Sequence, residues 1–285
     1  MSKTRSPLYF ALRRFADNKA AVVSAVILGV ILLMAIFAPL ITPTGYADQA
    51  YLTEGLAFPS AQHWMGVDDL GRDFFTRIVY GARVSLSIGF SAALFAVLIG
   101  IPLGAIAGFY GGWADWVVMR LIELFSVVPP LLAAMLLGAL TNGGFFTIVL
   151  IASLFGWVQV CLLVRAQVKA FREKEFVRAA QALGASPGYI IRRHLIPNSI
   201  SPIIVGFVLA IPLAMMLEAS LSFLGIGVPP PVPSWGQMIN VGMDFMYFYW
   251  HLAVFPTLAL AVTVLATTLL GDGLRDALDP TMKGR

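Results

Sequence analysis

The chain has 285 residues, of which 59% are hydrophobic and only 12% are charged. This composition excludes an ordinary soluble domain, in which about 25% of the residues are charged. The formal net charge of +4 could indicate nucleic-acid binding. However, the basic residues concentrate in the N-terminal tail and in one internal loop, which is typical of the cytoplasmic loops of membrane proteins. We therefore expect a multi-pass membrane protein that contacts lipid and binds no nucleic acid.

The N-terminal part of the chain predicts a tail, one span and an external segment. Residues 1–19 carry five basic side chains against a single acidic one, and we expect a cytoplasmic tail with a short interfacial helix. Residues 20–41 are apolar over about the 20 residues that span a bilayer. This run exceeds the ~7–15 apolar residues of a signal peptide, so we expect a retained transmembrane helix. Residues 42–82 are polar and predicted to be periplasmic.

The rest of the chain predicts a membrane core over residues 83–272. Apolar runs predict five further spans, at about residues 83–109, 116–140, 145–167, 200–223 and 252–271. Gly100, Gly104 and Gly108 place small residues on one face of the second span, which permits close contact with another helix.

Prolines and loops complete this prediction. Pro129 and Pro130 predict a kink in the third span. Residues 224–251 are rich in Pro, Gly and Trp and are expected to form an external loop, whereas residues 273–285 are expected to form a cytoplasmic tail. The sequence thus predicts an all-α polytopic membrane protein with six transmembrane helices and both termini in the cytoplasm.

One polar stretch interrupts the apolar core. Residues 169–198, which we call the basic loop, contain six Lys and Arg side chains. A helical pattern in this loop ends at Gly184, a residue type that can adopt the left-handed turn after a helix. Ser186 and Pro187 predict the N-cap and first residue of a second short helix, and the chain returns to the bilayer at Pro197. Two short helices joined by a sharp turn are suited to docking into a groove of another protein.

Motifs of common enzymes are missing from the sequence. It contains no GxxxxGK(S/T), HExxH or CxxC motif. Its one GxSxG match, residues 184–188, falls at the predicted turn between two short helices and not at the strand-to-helix turn that a nucleophilic serine needs, so we expect neither catalysis nor a bound cofactor. Cys161 is the single cysteine, which precludes an intrachain disulfide and suggests a small packed residue. His63, His194 and His251 match no zinc-ligand spacing, and we assign no metal site.

Ionisable residues within predicted spans are candidates for a translocation path. Arg120 and Glu123 are three residues apart on one helix face and can form an ion pair, so they are either a structural pair or part of a transport relay. Glu218 is either the lining of a water-filled path or a partner for a neighbouring helix. An ion-gradient-driven secondary transporter using Glu123 and Glu218 is the alternative function that these residues leave open.

Four stretches carry a resemblance to a known family. The basic loop has the order Arg-Ala-Ala, then Gly184, then Pro197, and the other three stretches are residues 63–89, 222–239 and 271–280. Together they resemble the C-type permease subunits of ATP-binding-cassette (ABC) importers of the dipeptide and oligopeptide family. The basic loop resembles the EAA loop of that family. It departs at Arg178, where the family usually has Glu, and at His194, where it usually has Ile, so Glu173 or Glu175 could replace the missing acid.

The resemblance implies a fold and a set of contact residues. The fold is the transmembrane domain of a type I ABC importer. The residues implied to couple the chain to an ATPase are Arg178, Ala179, Ala180, Leu183, Gly184, Ser186, Pro187, His194 and Pro197.

The resemblance also implies partners. These are a second, B-type permease, two ATP-binding subunits that hold ATP and Mg, and an external substrate-binding protein. Trp64 and Trp235 are implied docking residues for that protein, although Trp is equally expected as an anchor in the lipid headgroups. The cargo is a dipeptide, an oligopeptide or a related solute such as glutathione or a nickel chelate, and the sequence does not discriminate among them.

Overall fold

The computed structural model describes residues 7–141 and 143–278, and within these ranges the chain is helical except for loops and one isolated bridge between Val67 and Asp73. A 3₁₀ turn occurs at Leu52–Glu54 and a π-helical turn at Ile191–Leu195. The α-helices in chain order are α1 (Pro7–Asp17), α2 (Lys19–Ile36), α3 (Ala38–Ile41), α4 (Phe74–Tyr110), α5 (Gly112–Val127), α6 (Pro130–Thr141), α7 (Phe145–Arg172), α8 (Glu175–Ala182), α9 (Pro187–Ile190), α10 (Ile196–Asn198), α11 (Ile200–Phe223), α12 (Trp235–Asp244) and α13 (His251–Leu278).

Five of the described helices, α2, α4, α7, α11 and α13, are long and apolar enough to cross a bilayer on their own. The pair α5 and α6 qualifies as a sixth span only when the two are taken together, because the chain bends by 80° between them. The expected kink in the third span is therefore a break. The break occurs at Val128, whose backbone is extended (φ −83°, ψ 120°). Val128 precedes a proline, and such a residue avoids the helical region.

Three other helices, α4, α7 and α13, are longer than the spans that the sequence predicts. Helix α4 starts at Phe74, well before residue 83, because the Asp73 carboxylate accepts a hydrogen bond from the Thr76 amide at 2.7 Å and caps the helix. Helices α7 and α13 continue beyond residues 167 and 271 with polar turns. Helix α11 covers the residues predicted for the fifth span. The tail residues 279–285 and the first six residues lie outside the described part of the chain.

Helices α4 and α7 share the most extensive contact among the described helices, and they run in the same direction. Gly100, Gly104 and Gly108 all face α7, so that a Cβ atom at Gly104 would lie 2.5 Å from the Cys161 carbonyl oxygen. At Gly108 the same atom would lie 2.7 Å from the Arg165 carbonyl oxygen. The predicted glycine stripe is thus confirmed as a packing surface. Cys161 is fully buried beside it.

The two ends of the bundle are distinct. Helices α4 and α7 both end next to the basic loop. Helix α13 ends at the same side of the bundle, where its Gly273 packs against Ala21 at the start of α2. We call this the loop end. The opposite end carries residues 42–73 and α12. The location of the loop end in the cytoplasm remains a prediction.

Ion pairs inside the polar segment hold the opposite end together. The Asp68 carboxylate accepts hydrogen bonds from the amides of Leu70 and Arg72 and from the Arg72 Nε at 2.6 Å. Arg77 Nε lies 3.4 Å from the same carboxylate. These groups therefore stabilise the segment's own structure.

The α4–α7 contact predicts that a Gly→Ala substitution affects stability differently at this contact and at an open position. In an exposed helix interior Gly→Ala stabilises by roughly 1 kcal/mol, but Gly104→Ala forces its methyl group against a backbone carbonyl. We expect Gly104→Ala to lower the melting temperature of the purified chain in detergent. The matched control is Gly29→Ala in α2, where nothing lies within 4 Å of the new atom. Equal melting temperatures for the two variants would contradict the close contact.

Candidate functional site

The basic loop folds into two short helices joined at Gly184. Helix α8 ends in a Schellman turn, in which the Gly184 amide donates to the Gln181 carbonyl and the Ala185 amide to the Ala180 carbonyl. Gly184 has a φ of +80°, as its position after a helix predicts. Ser186 occupies the N-cap position of α9, but its side chain forms no capping hydrogen bond. The π-helical turn then connects α9 with α10 and returns the chain to α11.

One face of the basic loop is anchored in the bundle. Val177, Ile190 and Leu195 are at most 1% exposed. They belong to a single apolar cluster whose other buried members come from α4, α7 and α11: Ala105, Phe109, Val160, Val164, Val168 and Ile203. The loop is consequently packed against the ends of three helices at once.

The other face of the basic loop is open. Leu183 is 89% exposed at its tip, although it is a large apolar side chain. Ala179 beside it is exposed and Ala180 is half-buried, so small side chains flank the leucine. An exposed apolar residue on a rigidly anchored turn is suited to insertion into a pocket of another protein.

Polar and aromatic contacts shape the rest of this face. Arg178 donates a hydrogen bond to the Glu173 carboxylate at 3.2 Å, so Glu173, one of the two acids named above, is the partner of this arginine. The His194 ring lies between Phe176 and Tyr189, with centroid distances of 6.3 Å and 5.7 Å. His194 therefore links α8 to the second half of the loop. Pro187 and Pro197 are both exposed.

Of the ionisable residues predicted inside the spans, Arg120 and Glu123 pair with each other, whereas Glu218 lies apart from them. Arg120 donates to the Glu123 carboxylate on α5, and the two side chains are 64% and 53% exposed. The Arg120 guanidinium also stacks over the Trp116 ring at 5.7 Å. Glu218 is far from them in the fold and is fully buried.

Glu218 is the acceptor of a buried serine cluster. Its carboxylate accepts hydrogen bonds from Ser85 Oγ of α4 at 3.1 Å and from Ser222 Oγ of α11 at 2.7 Å. Ser234 Oγ lies 3.3 Å from Ser222 Oγ, and the Trp235 amide donates to Ser85 Oγ. Glu218 thus has hydrogen-bond partners on a neighbouring helix and on its own helix, and its place on a translocation path stays a prediction.

Trp235 contradicts the expectation of a docking residue, because only 1% of it is exposed. Its indole nitrogen donates a hydrogen bond to the Ile78 carbonyl at 3.0 Å. Trp235 is buried because it is the first residue of α12, a helix within the stretch that the sequence analysis predicts to be an external loop. The signal for this helix was Ser234 with Gln237 three residues on, a capping-box pattern, and Ser234 Oγ accepts from the Gln237 amide.

Trp64, the other expected docking residue, is 68% exposed at the opposite end. Tyr247 and Phe248 are also exposed there, at 98% and 79%. The binding-protein role of Trp64 stays a prediction.

Comparison with known proteins identifies the family. The model of the family described as "Binding-protein-dependent transport system inner membrane component" matches residues 100–284. The chain belongs to this family. It is therefore a multi-pass inner-membrane permease of the ABC importer class. A second model, the N-terminal TM domain of oligopeptide transport permease C, matches residues 6–59 of the permease.

Individual relatives cover nearly the whole permease. It is 41% identical to the oligopeptide transport system permease protein OppC of Bacillus subtilis (strain 168), over 96% of this chain and 89% of that protein. It is 41% identical to the dipeptide transport system permease protein DppC of Alkalihalophilus pseudofirmus, over 98% and 91%. It is 39% identical to the glutathione transport system permease protein GsiD of Pectobacterium atrosepticum, over 98% and 93%.

A solved structure shows the same fold. The permease resembles a chain of the inward-facing MetNI methionine ABC transporter with a TM-score of 0.55, over 71% of this chain and 96% of that chain. The sequence identity is 18%, so this likeness concerns the fold alone. The predicted importer-type helical fold is confirmed.

The buried serine cluster predicts a structural role for Glu218. Glu218→Ala leaves the Ser85 and Ser222 hydroxyls without their acceptor, at a cost of about 1–3 kcal/mol per unsatisfied buried group. We expect a lower melting temperature in detergent and faster proteolysis within residues 224–251. Ser220→Ala is the control, since that exposed hydroxyl only donates within its own helix, to Met216. Unchanged stability and proteolysis in Glu218→Ala would refute this role.

Proposed function

We propose that this permease is one half of the transmembrane part of an ATP-driven importer. Its other half is a second, related permease, and the complex includes two ATP-binding subunits and an external substrate-binding protein. ATP and Mg bind to the partner ATPase subunits. This chain binds no cofactor and carries out no chemistry, so the substrate crosses the membrane unchanged.

The observation that carries this proposal is the exposed Leu183 on an otherwise anchored loop. Leu183 supplies an apolar knob, Ala179 permits close approach of a partner backbone, and Gly184 allows the sharp turn between α8 and α9. Burying one leucine side chain at an interface yields roughly 1.5–3 kcal/mol. We infer that the partner is the ATP-binding subunit, whose groove receives this tip.

The anchoring of the basic loop supports a coupling mechanism. The loop is continuous with α7 at its start and leads into α11 at its end, and its buried face also contacts α4. A displacement of the loop therefore moves the ends of three long helices. ATP binding would favour one of two arrangements of these helices, provided that the loop contacts differ between the two states.

Short peptides are the cargo that we propose. The relatives are named for transport of oligopeptides, dipeptides and glutathione, which share a peptide backbone and small size. The external binding protein would select among such solutes.

The ion-gradient alternative has less support. Glu123 is paired with Arg120 on its own helix, and Glu218 is enclosed by serine side chains. Within residues 7–141 and 143–278, no hydrogen bond or ion pair joins either carboxylate to a second acidic group.

The decisive experiment is purification of the tagged chain in mild detergent, followed by reconstitution in vesicles. We expect a second permease and ATP-binding subunits to co-purify. ATP hydrolysis should rise when the external binding protein is added with a dipeptide, an oligopeptide or glutathione. The solute that raises hydrolysis most identifies the class of cargo. A chain that purifies alone and moves solute under a proton gradient would overturn the proposal.

A matched glycine pair tests the docking role of the loop tip. Gly184 and Gly225 both have a φ of +80°, follow a helix and have nothing within 4 Å of an added Cβ. Asp tolerates this backbone region, so Gly184→Asp and Gly225→Asp impose similar small strain at opposite ends of the bundle. We expect Gly184→Asp to reduce uptake at least tenfold with normal membrane insertion, because the carboxylate obstructs the apolar contact. Gly225→Asp should retain most uptake.

Comparable uptake by the two aspartate variants would contradict the docking role. Their levels in isolated membranes, measured by immunoblot, separate a loss of transport from a loss of protein.

A further inference from the structure

A bidentate ion pair connects α5 with α7 near the loop end. The Arg165 Nε and Nη2 atoms donate to the two carboxylate oxygens of Asp115, and the Nη2 bond measures 2.7 Å. The side chains are only 23% and 22% exposed. Paired parallel bonds between a guanidinium and a carboxylate fix orientation as well as distance. The relative position of α5 and α7 is thus constrained at this point.

Apart from this ion pair, α5 is attached to the bundle by an apolar cluster and by edge-to-face contacts of Phe125 with Phe155 and Trp157 of α7. Its buried residues are Val118 and Ile122, which pack into a cluster with α4 and α7. Large side chains elsewhere on α5 are mostly exposed, including Trp113 at 79% and Val127 at 80%. Because apolar contacts specify the position of a helix less sharply than paired hydrogen bonds do, the directional ion pair adds a specific constraint on α5.

A second arginine on α7 holds the junction between α4 and α5. Arg172 lies about two helical turns after Arg165, on the same side of α7. Its Nη1 atom donates to the Phe109 carbonyl, in the last turn of α4, at 2.9 Å. Arg172 is also the last residue of α7 and lies at the start of the basic loop, shortly before α8 begins at Glu175. Both arginines lie on α7, which leads into the basic loop. Arg165 therefore holds the start of α5, and Arg172 holds the end of α4.

We propose that the Asp115–Arg165 pair transmits movement of the basic loop to the bent helix pair α5–α6. Movement of the loop displaces the end of α7, and the ion pair makes α5 follow. The break at Val128 allows α5 to change its angle to α6. Arg172 fixes the pivot between α4 and α5. Asp115 and Arg165 are positioning residues, and their role rests on the proposed ATP-driven function.

The test compares variants in the complete reconstituted importer and measures solute imported per ATP hydrolysed. We expect Asp115→Asn and Arg165→Gln to lower this ratio about fivefold or more, in the range of typical couplings between sites. The ratio is informative because a purely structural defect would lower assembly and both activities together. Arg165→Lys keeps the charge but loses the bidentate geometry, so it should fall between Arg165→Gln and the unmodified protein.

Two further variants make the test specific. The charge-swapped protein with Asp115→Arg and Arg165→Asp restores a pair at this position and should recover part of the ratio. Asp48→Asn is the control, because it removes an exposed carboxylate at the opposite end of the bundle, where it accepts a hydrogen bond from the Gly45 amide. It should leave the ratio unchanged.

The outcomes separate this inference from the function on which it rests. An unmodified complex without ATP-driven uptake would refute the proposed function itself. Normal uptake per ATP in Asp115→Asn, within a working complex, would refute the transmission role alone. Failure of both single variants to assemble, without recovery in the charge-swapped protein, would assign the pair to folding and overturn the inference as well.

Discussion

Close contact between α4 and α7 is the constraint on which the loop end depends. Gly104 and Gly108 bring the two backbones together, and because the helices run in the same direction, both end beside the basic loop. The buried face of that loop packs on side chains from both helices. Without this contact, α8 and α9 would have no common platform, and the exposed Leu183 would not be held at a fixed position. A packing device within the bundle thus determines the geometry of a surface far from it in sequence.

Polar interactions fix what apolar packing leaves free. In an apolar surrounding, side chains of similar shape can exchange neighbours at little cost, whereas a hydrogen bond specifies one partner. Glu218 specifies the position of α12 through the serines of α4 and α11. Asp115 does the same for α5 through Arg165. These buried or half-buried polar groups help to fix the positions of two elements, a short helix at one end and a bent helix pair at the other.

Local signals in the sequence predicted much of the fold and of the candidate site. Apolar runs located the long helices, and Gly184 with Pro187 located the turn between α8 and α9. The burial of Trp235 was not predictable from its position in a Pro-rich stretch, because it depends on α12 docking against Ala219 and Ile78. The Asp115–Arg165 pair joins residues 50 positions apart, and no local pattern indicates such a contact.

Site-directed crosslinking tests the central claim, that the tip of the basic loop contacts the ATP-binding subunit. Cys161→Ala removes the chain's single cysteine, and Leu183→Cys then carries a thiol-reactive photocrosslinker at the tip. We predict a crosslinked product with the ATP-binding subunit in the assembled complex. Trp64→Cys, similarly exposed at the opposite end, should give none. An assembled complex in which Leu183→Cys forms no crosslink to that subunit, or in which Trp64→Cys crosslinks to it equally, would contradict the claim.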